Sequence, residues 1–216
     1  MFRHKYNSDL GIFLSENIVL ENENSASNGV LFLDRDGVMI EEKHYLCDPQ
    51  KVSLIYGLRN VLQIAKNNGM NVVVVTNQSG IARDLFDWED YISVTERMLK
   101  LIGGKNELID LIIACPMHED GVKDEYRYDR KEMRKPKPGM IQYAMDRFKT
   151  KASQCKIVGD KVCDLEAGIE ANIKDLFHVK TGHGLTHRAA IMKLNKQLSN
   201  VEINEINSIK DLANFL

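Results

Sequence analysis

From residue 30 onward the chain is built of short apolar runs, at residues 30–33, 72–75, 108–114, 156–158 and 176–179, separated by longer amphipathic stretches. A strand with helices packed over both faces has no wet side, so its sequence stays apolar instead of alternating. Between the runs, Leu58, Val61, Leu62, Ile64 and Ala65 recur at helical spacing. Ile92, Val94, Met98, Leu99 and Ile102 do the same, and so do Met140, Ile141, Ala144, Met145 and Phe148. Strands alternating with helices predict an α/β fold, a doubly wound Rossmann-like parallel sheet that binds its ligand at the carboxyl ends of the strands.

Residues 1–28 break this pattern. They hold few apolar positions and end in an Asn- and Ser-rich run before Gly29. That places a boundary between an N-terminal extension, 1–28, and one domain over 29–216. The apolar patch at residues 12–20 is consistent with a short edge strand or with a loose tail.

Composition narrows the function classes. A chain of 216 residues suits one domain with a sizeable core. With 29 basic and 31 acidic residues the net charge is −2, which argues against wrapping nucleic acid or lying on an anionic membrane. No apolar stretch approaches the roughly 20 residues of a membrane span, and the N-terminus lacks a signal peptide's apolar core, so the expected location is the cytoplasm. Cys47, Cys115, Cys155 and Cys163 lack C-x-x-C spacing, so neither a disulfide framework nor a four-thiolate metal site is encoded.

The chemistry sits where the apolar runs stop. Asp34-Arg35-Asp36-Gly37 follows the first run and Thr76-Asn77-Gln78-Ser79-Gly80 the second. Arg134-Lys135-Pro136-Lys137-Pro138-Gly139 precedes the third helix, and Gly159-Asp160-Lys161, with Asp164 four residues beyond Asp160, ends the fourth run. Hydroxyl, amide and backbone N–H groups after the second run can hold a phosphate. Two prolines stiffen a loop that presents a cation. A strand ending in Gly-Asp can offer a carboxylate to Mg²⁺. Singly, each set has a bland counterpart: a solvated turn, a helix cap, a basic face. Their order, and their placement at strand ends, is what makes them a site.

Together these motifs resemble the haloacid dehalogenase superfamily of aspartate-nucleophile phosphatases, over about residues 30–185. About 40 residues separate Asp36 from Thr76 and about 60 separate Thr76 from Lys135, which leaves no room for the large cap domain of other branches. Leu33-Asp34-Arg35-Asp36-Gly37-Val38 and Thr76-Asn77-Gln78-Ser79-Gly80-Ile81-Ala82-Arg83 narrow the resemblance to the subgroup of heptose bisphosphate and histidinol-phosphate phosphatases. It implies a Mg²⁺-dependent phosphatase acting on a sugar bisphosphate of the heptose 1,7-bisphosphate type through an aspartyl-phosphate. The alternatives are another small phosphomonoester such as histidinol phosphate, a nucleic-acid 3′ end, or a non-catalytic phosphate-binding relative. The implied partner is a small phosphorylated sugar, with no nucleic acid and no membrane, and the protein is expected to be a monomer.

The resemblance assigns Asp34 as nucleophile, Asp36 as general acid and base, and Thr76 and Lys135 as ligands of the remaining phosphoryl oxygens. It assigns Asn77, Gln78, Arg83, Arg134 and Lys161 to the substrate. Magnesium falls to Asp34, Asp160 and the backbone carbonyl of Asp36, with Asp164 behind them orienting Lys161 or the metal's waters. Between Arg127 and Lys137 six cations stand against two anions, a local excess of +4. That excess reads as a solvated basic loop or, as the resemblance implies, as Arg134 with Arg83 from the facing loop binding a distal phosphate. One departure concerns zinc, which the subgroup commonly holds in a loop. Cys115-Pro116-Met117-His118 keeps one Cys and a His shifted by a place, while Lys131 and Met133 stand where two later cysteines would be, so zinc is not expected. Ile40 and Asp84 depart from the heptose pattern as well.

Overall fold

The computed structural model describes residues 1–18, 27–103, 108–127, 131–199 and 201–216. Most of the polar run before Gly29 lies outside these residues, as do Asp129 and Arg130 of the basic segment. In chain order the regular elements are β1 (Phe2–Asn7), β2 (Ile12–Asn17), β3 (Val30–Leu33), α1 (Leu58–Asn67), β4 (Asn71–Asn77), α2 (Ser79–Ala82), α3 (Trp88–Ile102) and β5 (Leu111–Cys115). They continue with α4 (Gly139–Arg147), β6 (Lys156–Gly159), α5 (Val162–Glu170), β7 (Asp175–Val179), α6 (Gly184–Gln197) and β8 (Ile203–Ile206). The strands form one sheet in the order β1-β2-β5-β4-β3-β6-β7-β8, parallel from β5 to β8, with β1 and β2 antiparallel at one edge.

The apolar runs are apolar throughout because both faces of the sheet are covered. Val30 and Phe32 pack into one core with Val73, Val75 and Ile113, while Leu31 and Leu33 pack into the other with Val72, Val74 and Ile112. α1 seals the second core with Leu58, Val61, Leu62 and Ala65. α3 begins at a capping box, in which Asp87 accepts from the N–H groups of Glu89 and Asp90 at 2.9 and 3.0 Å.

Two strand bounds differ from the sequence pattern for local reasons. The run at 108–114 becomes a strand only from Leu111, because the Asp110 carboxylate takes the Val72 N–H at 2.7 Å in place of a ladder carbonyl. The patch at 12–20 forms β2 over Ile12–Asn17, and β1 pairs with it. Phe13 of β2 stacks on Trp88 of α3 with ring centroids 4.5 Å apart, so the hairpin is bound by side chains as well as by its ladder. β8 and α6 carry no clear sequence signal: α6 buries only Gly184 and Ile191 among its described residues.

From β3 the chain steps to β4 and β5 on one side and then returns to β6, β7 and β8 on the other. The strand order reverses at β3, and the loops leaving β3 and its neighbours diverge there to open a crevice. The site is built in that crevice.

Candidate active site

Each motif residue reaches the crevice from the end of a central strand. Asp34 follows β3, its N–H still donating to Val158 O at 3.0 Å, and Thr76 lies near the end of β4. Asp160 follows β6, and Lys135 comes from the loop before α4. Asp34, Thr76, Lys135, Asp160 and Asp164 are all buried.

Lys135 is the hub. Its Nζ donates to Asp34 Oδ1 at 2.8 Å, to Val75 O at 2.8 Å and pairs with Asp164 Oδ1 at 2.6 Å. All three ammonium protons therefore have acceptors, which disperses the charge that burial would otherwise leave exposed to a low dielectric. Burial alone would depress the Lys135 pKa, but Asp164 and Asp34 raise it well above the ordinary lysine range. Asp34 is pushed up to about 6 by burial, opposed chiefly by Lys135, so it is mostly ionised at neutral pH. Asn77 fixes the lysine loop by exchanging two bonds with its backbone: Asn77 Nδ2 donates to Lys135 O at 3.0 Å and Asn77 Oδ1 accepts the Lys135 N–H at 3.1 Å.

Asp164 was expected to orient Lys161 or metal-bound water. In the structure its Oδ1 holds Lys135, and its Oδ2 accepts the backbone N–H of Lys161 at 2.9 Å, capping its own helix. Both oxygens are engaged. Asp160 differs: Oδ2 accepts the His183 N–H at 2.7 Å, while the buried Oδ1 has no partner among the described residues. Gly37 and Gly182, both in the left-handed region, pack on this carboxylate, and a Cβ at either would strike Asp160 Oδ2.

Ligand oxygens of Asp34, Asp160 and Asp164 converge within 4.8 Å of one another. An orphaned buried oxygen among hard carboxylate donors suits a hard divalent cation. Without one, burial and then Asp34 raise Asp160 to about 8. The sign of the resulting stability effect follows from linkage. Folded, metal-free Asp160 keeps its proton to about pH 8, whereas its ordinary value is 3.8. Between these values the folded state binds more protons, so stability falls as pH rises. Between about pH 5 and about pH 8.5, metal-stripped protein is expected to lose about 5 °C or more in Tm, and excess Mg²⁺ to restore it. A slope that persists unchanged in Asp160→Asn would remove Asp160 as its source.

On the opposite wall Gln78 Nε2 donates to Thr76 Oγ1 at 2.8 Å and to Asp36 Oδ2 at 3.0 Å. Asp36 also pairs with Arg35. Arg83 does not line the cavity: it donates to Tyr45 Oη at 2.7 Å and Asp120 Oδ2 at 3.0 Å, and lies 3.1 Å from His118 Nε2. Arg134 does not line it either. Its charge acts on Cys115 and His118, and its Nη1 has no partner among the described residues. Lys161 does line the cavity, raised well above its ordinary pKa by Asp34 and Asp160 against the effect of burial.

Glu42, His44 and His183 line the cavity without any sequence signal as site residues. Glu42 Oε2 sits 3.7 Å from Lys161 Nζ and 3.4 Å from His183 Nε2, and His44 borders the same opening. They come from loops remote in sequence, and nothing in their local pattern marks them. Cys163 also lines the cavity, but burial and Asp164 push its thiol up to about 12, so it is no nucleophile at neutral pH. Cys115 is buried and raised to about 11, and His118 engages Asp120 N and Arg83 through its two ring nitrogens.

A family model described as polynucleotide kinase 3 phosphatase matches residues 30–182, which includes every motif above. The chain belongs to this family. Among curated relatives of this polynucleotide kinase 3 phosphatase family member, a D-glycero-β-D-manno-heptose-1,7-bisphosphate 7-phosphatase of Haemophilus influenzae is 39% identical over 159 residues, covering 74% of this chain and 85% of the relative. The enzyme of the same name from Escherichia coli K12 is 35% identical over 159 residues, covering 74% and 83%. That of Mesorhizobium japonicum is 40% identical over 143 residues, covering 66% of this chain and 65% of the relative's length. A haloacid dehalogenase-like phosphatase of Mesorhizobium loti superposes with a TM-score of 0.74 at 34% identity, covering 82% of this chain and 83% of that one. The D,D-heptose 1,7-bisphosphate phosphatase of B. bronchiseptica, complexed with magnesium and phosphate, gives a TM-score of 0.72 at 25% identity, covering 87% of this chain and 97% of that one. The family member described here is accordingly a haloacid dehalogenase-type phosphatase, a phosphoric monoester hydrolase. Among its described residues no helix is long and apolar enough to cross a membrane.

Proposed function

We propose that this phosphatase removes one phosphate from a sugar bisphosphate of the heptose 1,7-bisphosphate type, requires Mg²⁺, and carries the phosphoryl group on Asp34. The observation that carries the chemistry is the buried Asp34 side chain held by Lys135 Nζ at 2.8 Å at the switch point. The sugar is supported by the activity that names the relatives.

A phosphomonoester resists attack because its anionic oxygens repel a nucleophile. Lys135 aims Asp34 and offsets its charge, and Lys161, which lines the cavity and whose ion pair among the described residues is with Glu42 at 3.7 Å, is a cation available to a phosphoryl oxygen. Asp34 attacks phosphorus and the ester P–O bond breaks, while Asp36 gives its proton to the departing oxygen. Asp36, now a carboxylate, takes a proton from the water that attacks phosphorus, the bond to Asp34 breaks, and inorganic phosphate leaves. Thr76 and Gln78 complete the polar wall, and Asn77 acts by holding the Lys135 loop. Asp34, Asp160 and the Asp36 carbonyl would hold Mg²⁺, which when bound supplies positive charge to the phosphoryl oxygens.

For the second phosphate the reading assigns Arg134, on the cation excess of its segment and its place next to Lys135 in the chain, although its side chain is not among those lining the cavity. Arg83 is committed to Tyr45, His118 and Asp120. Arg134→Ala is expected to lower kcat/KM for a sugar bisphosphate by about 2 to 3 kcal/mol more than for the matching monophosphate. Equal losses would assign Arg134 to the loop instead.

A phosphate-release assay tests the whole reading, run with and without Mg²⁺ on heptose 1,7-bisphosphate, its monophosphates, histidinol phosphate and a 3′-phosphorylated oligonucleotide. The bisphosphate is expected to have the highest kcat/KM, and only with Mg²⁺. Preference for the oligonucleotide would replace the sugar assignment with the activity that the family description names.

A further inference from the structure

We infer that Arg35 is a positioning residue, whose guanidinium fork holds the Asp36 carboxylate in the orientation from which it exchanges protons with substrate and water. The inference rests on the acid-base reading of Asp36 given above. Arg35 stands between two motif aspartates and is 1% exposed, the largest of the fully buried side chains. Its Nε lies 3.0 Å from Asp36 Oδ2 and its Nη2 3.2 Å from Asp36 Oδ1.

Stability alone does not account for a guanidinium there. The buried cation gives up its hydration, and its Nη1 finds no partner among the described residues. An apolar side chain of similar length would fill the space without that cost. What Arg35 provides is geometry: a planar fork engages both carboxylate oxygens at once, which a single ammonium cannot do. Gln78 fixes Oδ2 from a second direction at 3.0 Å. Asp36 nevertheless stays at the cavity, its side chain 16% exposed, so the restrained carboxylate still faces the opening.

The fork is itself restrained. Arg35 Cζ lies 5.2 Å from the centroid of the Tyr91 ring, an attractive placement for a cation on a π face. Tyr91 packs edge-on against Trp88 at 5.4 Å and Phe13 at 5.7 Å. An aromatic wall shared by α3 and the N-terminal hairpin thus backs the residue that orients Asp36.

The test is a double-mutant cycle between Arg35 and Asp36, using the best substrate from the panel above and p-nitrophenyl phosphate, whose good leaving group needs little acid. Arg35→Met is expected to lower kcat on the first substrate by about 100-fold while KM changes less than about threefold. With p-nitrophenyl phosphate the initial burst should persist and the steady rate fall, because the step that needs a base is slowed. Arg35→Lys should keep the charge and still lose most of the effect. In an Asp36→Asn background Arg35→Met should cost less than about threefold more, since the group it positions is gone. Equal losses in the two backgrounds, a loss confined to KM, or a kcat within about threefold of the parent would overturn the inference. Should Arg35→Met fail to fold by circular dichroism, the same cycle with Arg35→Lys decides the question. Asp36→Asn that keeps the parental steady rate would instead overturn the acid-base role of Asp36, whatever Arg35 does.

Discussion

Asp34→Asn is expected to lower kcat by at least about 10⁴-fold, a barrier increase of at least about 5 kcal/mol, while the fold and Mg²⁺-dependent substrate binding survive. The amide keeps the shape of the carboxylate and its acceptor for Lys135 Nζ, but it is no nucleophile toward phosphorus. Lys135 keeps Asp164 as its partner, and burial pushes the Asp34 carboxyl up to about 6, so replacing it by a neutral amide should leave thermal stability at neutral pH equal or higher. Steady-state kinetics, calorimetric titration with substrate and a melting curve measure the three quantities. A variant within about tenfold of the parent, or only about 1.4 kcal/mol in barrier, would take the nucleophile's role away from Asp34.

Lys135→Met should damage both activity and stability. The ammonium holds Asp34 and Asp164 at 2.8 and 2.6 Å in a site where both carboxylates are buried, so its removal strands two anions at once. Breaking a buried pair from one side costs about 3 to 5 kcal/mol, and urea unfolding near neutral pH should register a loss of that size. The loss should shrink as pH falls, because protonating the stranded carboxylates removes the charge that lacks a partner. Turnover should fall by at least about 10³-fold, since both the aim of Asp34 and local neutralisation are lost. A stability change below about 1 kcal/mol would mean that the site relaxes or hydrates, and that Lys135 is not its structural hub.

Residues 30–33 and 72–75 announced buried parallel strands, and β3 and β4 contain them, because burial on both faces is a property of a few consecutive residues. Leu58, Val61, Leu62 and Ala65 announced the buried face of α1 for the same reason. The catalytic candidates Asp34, Thr76 and Asp160 were legible because a doubly wound sheet opens its crevice where central strands end, so a polar residue at the end of an apolar run is already located. α6 and β8 were not legible: α6 buries only two residues among those described, and β8 is a four-residue edge strand with buried ends, Ile203 and Ile206.

Sequence by itself determined which elements form and which chemical groups they deliver to one end of the sheet, since both follow from local periodicity and from turn residues. Only the tertiary structure decided how those groups pair. Asp164 was expected to orient Lys161 or metal-bound water; its Oδ2 accepts the Lys161 N–H, while its Oδ1 binds Lys135, 29 residues earlier in the chain. Arg83 was counted with the substrate and is instead spent on Tyr45, His118 and Asp120. Glu42 meets Lys161 and His183, and Arg35 turns onto Asp36 against an aromatic wall begun by the N-terminal hairpin. Such pairings depend on side chains brought together from distant loops and on the cost of leaving any buried charge unmatched, and no window of neighbouring residues contains that information.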